Sequence, residues 1–141
     1  MIDSSWVFDI QTTIYSRLKA ICESKLKTKY PDITITMDSH VPTTPKFPNV
    51  YMHFLPPVEV GNDLDGQDLN GLYLTAQVDV TVEDAQGMIV ANEVTQVVTD
   101  CMKEMRFVAI TLAEFIDTDT EYRTVSRFAR TIGQADTLYE V

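Results

Sequence analysis

Two patterns of apolar and polar positions alternate along this chain, one with the spacing of a helix and one with the spacing of a strand. Near the start, Val7, Ile10, Ile14, Leu18, Ile21 and Cys22 recur at intervals of three and four, which predicts one buried stripe on a helix. Asp3, Ser4 and Ser5 are all suitable to cap its first turn. Pro31 ends it, because the residue before a proline is pushed out of the α region. Residues 32–38 then alternate Ile33, Ile35 and Met37 against Thr34 and Thr36, the mark of a half-buried strand. A connection with Pro42, Pro45 and Pro48 follows, and a second strand, apolar on both faces, is expected over 49–55.

After Pro56 and Pro57 the chain reads as an acidic loop with Gly61, Gly66 and Gly71 at its turns. The clearest alternation comes next. Leu72, Leu74, Ala76, Val78, Val80 and Val82 face one way, while Tyr73, Thr75, Gln77, Asp79 and Thr81 face the other. That pattern gives one face to a core and leaves the other to water or a partner. A second helix is expected at about 84–105, with Val90, Val94, Val97, Cys101 and Met105 as its buried stripe. Residues 107–117 and 121–133 read as a hairpin turning at Asp117–Thr120.

The order is thus helix, three strands, helix, two strands. Each helix stripe must be buried, and placing both helices on one face of a sheet does so. The expectation is a single α+β domain over residues 1–141, with a mainly antiparallel sheet of about five strands and two helices packed on one face.

Charge adds the next constraint. The chain has 141 residues and a net charge of −10, yet 45% of its residues are hydrophobic, too many for a disordered segment. No apolar run reaches the about 18 residues that a membrane span needs, and the N-terminus, with Asp3, Asp9 and no basic residue among its first ten, is unlike a secretory leader. A cytoplasmic site of synthesis is expected. Between Phe47 and Met102 there is no lysine or arginine but there are nine carboxylates. Such a stretch is a poor phosphate binder, because nucleic-acid affinity comes mainly from Lys and Arg. It suits a surface that avoids nucleic acid or one that meets a basic partner.

Candidate chemistry is sparse. Cys22 and Cys101, 79 positions apart in apolar-periodic segments, read as buried free thiols. Aligning Gly66 with the invariant glycine of an EF-hand puts Gly61 and Leu72 at ligand positions that need side-chain oxygen, so that calcium motif fails. Asp79, Glu83 and Asp84 carry carboxylates suited to metal-dependent nuclease chemistry, but alternation sends Asp79 to a strand face while the other two belong near a helix start. His40 and His53 have no nucleophile motif around them, and there is no phosphate-binding loop. The expectation is no enzyme, no catalytic residue, no cofactor and no metal. Arg123 and Arg127 fall on one face of the last strand and Arg130 on the other. Arginines so placed either balance an acidic surface or pair with carboxylates of a neighbouring copy.

Taken in order, the first helix, P-K-F-P-N-V-Y-M-H-F, the acidic loop, L-T-A-Q-V-D-V-T-V, the helix ending M-K-E-M-R-F, and R-T-V-S-R-F-A-R resemble the tail terminator (tail-to-head joining) proteins of long-tailed bacteriophages. The chain departs from that pattern at Arg106, where many relatives have glycine before the phenylalanine. The resemblance implies a virion protein, assembled in the host cytoplasm, that forms a ring, commonly a hexamer, on the head-proximal end of the tail tube. Its partners would be itself, the tail-tube protein and the head–tail connector. DNA would pass through the lumen without specific binding. Glu59, Asp63, Asp65 and Asp68 would then face the lumen or the tube, and Arg123 and Arg127 a neighbouring subunit. Other readings of the residues are another neck or head-completion protein, or a small dimeric α+β ligand-binding module.

Overall fold

A computed structural model describes residues 5–37, 46–60, 71–83, 87–117 and 121–133. The elements run α1 (Ser5–Leu26), β1 (Thr34–Met37), β2 (Asn49–Phe54), β3 (Val58–Val60), β4 (Gly71–Glu83), α2 (Gly87–Glu104), β5 (Val108–Asp117) and β6 (Glu121–Gly133). The sheet order is β1-β2-β4-β6-β5, with β3 also paired to β4. All pairings are antiparallel except β1 with β2. The fold is α+β, as the periodicities predict.

The spine is β4, which pairs along its whole length with β6, from Gly71↔Gly133 to Glu83↔Glu121. On its other side β2 covers Ala76 to Thr81 and β3 covers Gly71 to Tyr73. Here the structure corrects the sequence reading, which placed Val58–Val60 in the acidic loop. Residues 49–60 run along one side of β4, interrupted opposite Leu74 and Thr75. Leu55 N–H still donates to Thr75 O at 3.0 Å. Pro56 and Pro57 then have no N–H to donate, so the ladder breaks and resumes at Val58.

The even positions of β4 form the centre of the core. Leu74, Ala76, Val78, Val80 and Val82 are each no more than 1% exposed. Val50, Met52 and Phe54 of β2 lie beside them on the same face, opposite Val80, Val78 and Ala76. The other side of β2 carries Asn49, Tyr51 and His53, all half-buried, so this strand alternates and is not apolar on both faces.

Both helices cover this face. α1 buries Trp6, Ile14, Leu18, Cys22 and Leu26, while α2 buries Ala91, Val94, Thr95, Val98, Cys101 and Met102. The α2 stripe is rotated from the expected one: Val90 and Val97 are only partly buried, and Ala91 and Val98 take the deep positions. An i, i+3, i+4, i+7 set through Ala91 aims squarely between sheet and α1, which a set through Val90 does not. A buried hydrogen bond of 2.8 Å between Thr95 and Thr124 joins α2 to β6. α1 and α2 are antiparallel, since Arg17 meets Glu104 (3.9 Å) at one end and Lys29 meets Glu93 (3.0 Å) at the other.

The departure at Arg106 has a local explanation. Phe107 N–H donates to Met102 O at 3.0 Å and Arg106 N–H to Lys103 O at 2.9 Å, the paired bonds of a Schellman cap. Arg106 takes the left-handed position of that cap, with φ of 68°. Side chains are strained there by roughly 1–2 kcal/mol. The cap forms without glycine because its flanking residues, Met102, Met105 and Phe107, are all buried and hold the turn. At the other end the helix begins at Gly87 (φ of 72°), later than expected, and Glu83 belongs to β4.

Candidate interaction surface

With both helices on one side, the second face of the sheet is left to the odd positions of β4 and their neighbours. Register places Tyr51 beside Asp79, His53 beside Gln77, Arg123 beside Thr81 and Arg127 beside Gln77. These side chains form a connected polar row. Arg127 Nε donates to Gln77 Oε1 at 3.0 Å, and Gln77 Nε2 donates to Asp79 Oδ1 at 3.2 Å. Arg123 donates a charge-assisted hydrogen bond to the other Asp79 oxygen. The Asp79 side chain is 12% exposed and that of Arg123 41%, so the pair is anchored in the sheet with its cation at the surface.

Tyr51 and His53 add a stacked ring pair on the same face, with centroids 6.5 Å apart and planes 19° from parallel. Tyr73 is exposed further along β4. Tyr and Arg on a preformed, internally hydrogen-bonded surface are the residue types that anchor protein interfaces. The arrangement is suited to recognition. Asp79, engaged by Arg123 and Gln77, is committed to this network, and no group of three or more metal-ligating side chains occurs among the described residues.

The expected arginine split is observed. Arg123 and Arg127 share the open face, whereas Arg130 lies opposite Leu74 on the helix side and donates to Met105 O, at the end of α2, at 2.7 Å. Of the acidic residues singled out in the sequence, Glu59 stands in β3 opposite Leu72. Asp63, Asp65 and Asp68 lie outside the described residues, as do His40 and Asp84. The structure therefore brings Arg123 and Arg127 together through Gln77 and Asp79. The sequence shows Gln77 and Asp79 on one face of a strand but contains no sign of which strand lies beside it, so the contributions of Tyr51 and His53 emerge only from the β2–β4 pairing.

Two further groups lie in the helix layer on the other face. Tyr30 Oη and Lys29 Nζ both reach Glu93, at 2.7 and 3.0 Å, tying the end of α1 to α2. The Tyr30 hydrogen bond, then Lys29, holds the Glu93 carboxyl below its usual range. Cys22 and Cys101 are free and buried, as expected from the sequence. Burial pushes their thiols up, to about 12 and about 11, so both stay protonated and unreactive at neutral pH.

No helix among the described residues is long and apolar enough to cross a membrane. No protein-family model and no curated protein matches this chain. Among solved structures the fold does have counterparts. One, a protein whose name describes no activity, superposes with a TM-score of 0.52 at 14% identity, covering 81% of this chain and 92% of the other. At that identity the likeness speaks for a shared fold alone.

Proposed function

We propose that this chain is a structural virion subunit, a tail terminator that forms a ring on the head-proximal end of a phage tail tube. In this reading it stops tube polymerisation and offers a docking surface for the head connector. The observation that carries the proposal is the one-sided architecture: a six-stranded sheet covered by helices on one face, with a preformed Tyr/Arg-bearing network on the other. A subunit whose work is to be packed between neighbours needs such a ready surface and no reaction centre. The segment order that resembles the terminator proteins supports the same reading.

The physical mechanism follows from geometry. A ring needs one patch of each copy to bind a different patch of the next, with a rotation that closes. A tube-binding surface on one side, with no equivalent surface on the other, then halts further addition. Carboxylates among residues 59–68 would keep DNA phosphates from adhering to the lumen wall. Negative-stain images of the purified chain should show rings about as wide as a phage tail. Reversing Asp63, Asp65 and Asp68 to lysine should slow DNA delivery while leaving rings intact. Unchanged infectivity would remove those residues from the DNA path.

The open sheet face also suits a second reading, a small module that dimerises through its sheet. A uniform dimer in solution, with no ring at any concentration, would favour it.

A further inference from the structure

The same structure contains a second, chemically different surface, at the opposite edge of the sheet from β5. Residues 17–46 hold six Lys/Arg and three Asp/Glu, so this stretch is +3 and the remainder of a chain of net −10 is −13. The described part of this segment includes the second half of α1 and the edge strand β1. Between them runs a groove of about 260 Å³, walled by Lys19, Glu23 and Lys27 on one side and Ile33 to Thr36 on the other. The spacing of 19, 23 and 27 puts all three side chains on one face of the helix.

The groove contains an uncommitted cation. Glu23 pairs with Lys27 at 3.5 Å, while Lys19 has no ion-pair partner among the described residues. The backbone of β1 contributes too. Thr34 N–H donates to Pro48 O at 3.0 Å, toward β2. In a parallel ladder the next residue turns its own groups the other way, so Ile35 presents N–H and C=O to the free edge. Its C=O accepts from Tyr15 Oη at 2.8 Å, which ties this edge to α1.

We propose that this groove is the acceptor half of a head-to-tail contact between copies of this chain. It takes an acidic segment of the next copy, its carboxylates on Lys19 and Lys27. The occupant follows from charge. A groove of positive sign on a chain otherwise at −13 finds its complement on another copy of itself, and electrostatic complementarity of this kind fixes partner and register. Because donor and acceptor are different patches, the contact is heterologous and can close a ring. The inference rests on the ring reading and names one of its two surfaces.

The test is the mass of the full chain in solution by light scattering and sedimentation, across protein and salt concentration. Wild type should self-associate and should weaken as salt rises, since exposed charges are screened. Lys19→Glu combined with Lys27→Glu should raise the concentration for half-association by more than about tenfold. Lys19→Gln with Lys27→Gln should give a smaller rise, and Lys103→Glu, on an exposed residue at the end of α2, none. All three should keep the wild-type circular dichroism spectrum. A heterologous contact makes one further demand: the Glu variant keeps its donor patch, so adding it to wild type should shorten assemblies.

Unchanged association of the Glu variant would overturn the groove while leaving the ring reading standing. Loss of duplex-DNA retention with unchanged association would reassign the groove to phosphate binding. A wild-type chain that stays monomeric at every concentration in low salt would contradict both the groove and the ring.

Discussion

The two faces of β4 were built from alternate residues of one strand, yet they obey different rules. The even face is apolar at every position from Leu72 to Val82 and is sealed under two helices. The odd face carries Tyr73, Gln77 and Asp79, whose neighbours lie sideways on β2, β3 and β6. One face stabilises by removing hydrocarbon from water, at about 25 cal/mol per Å². The other gains little from burial, because its groups exchange water for each other at a net of about 1 kcal/mol per hydrogen bond. The difference separates what holds this protein together from what its sheet leaves at the surface. The open face can therefore be altered without unfolding the chain.

That contrast can be broken first at its strongest point. Leu74→Ala leaves a cavity under the helices and should cost about 2–5 kcal/mol in denaturant unfolding. Gln77→Ala, three residues along the same strand but on the open face, should cost less than about 1 kcal/mol. Equal losses would mean that the open face is a second core.

Thr124→Val sharpens the comparison, because Thr124 is a polar residue on the covered face. It strands the buried Thr95 hydroxyl and should cost about 1–3 kcal/mol, while the Thr95→Val, Thr124→Val double variant should recover part of that loss. Additive losses would show that the hydrogen bond between α2 and β6 contributes nothing beyond its parts.

Arg123→Ala should change stability by about 1 kcal/mol or less, since the arginine is substantially exposed. Under the ring proposal it should nevertheless reduce assembly, and a paired Arg123→Ala, Arg127→Ala variant should reduce it further. A variant that assembles as wild type would make these arginines ordinary surface residues.

The smallest effect lies at the helix junction. Glu93 has its carboxyl lowered from its usual 4.5 by Tyr30 and Lys29. A lowered carboxyl favours the folded state above its unfolded pKa, and that contribution is lost as pH falls through the folded value. Acid unfolding below about pH 4.5 should thus begin slightly earlier for wild type than for Glu93→Gln, relative to each protein's stability at pH 7. Parallel pH profiles would contradict the clamp.

Much of this was legible because burial leaves a periodic trace. The 72–82 alternation fixed which face of β4 is covered, and the helical stripes fixed that two helices cover it. The Arg123/Arg127 against Arg130 split followed from alternation alone. The strand β3 was hidden, because Pro56-Pro57 and three residues of Val-Glu-Val look the same in a loop as in an interrupted edge. The rotation of α2 was hidden as well, since Val90 and Val97 are as apolar as Ala91 and Val98, and the choice depends on where α1 sits. Pairing partners were the largest gap. The stacking of Tyr51 on His53 beside Gln77 and Asp79 needs β2 to lie against β4, a contact between residues some 26 positions apart that no local pattern encodes.

The most direct test of the central claim is the distribution of tail lengths, by negative-stain microscopy, in a phage from which the gene for this chain has been removed and then restored. The terminator reading predicts overlong tubes without joined heads, returning to one sharp length when the wild-type chain is supplied. Tails of normal length on joined heads in its absence would contradict it.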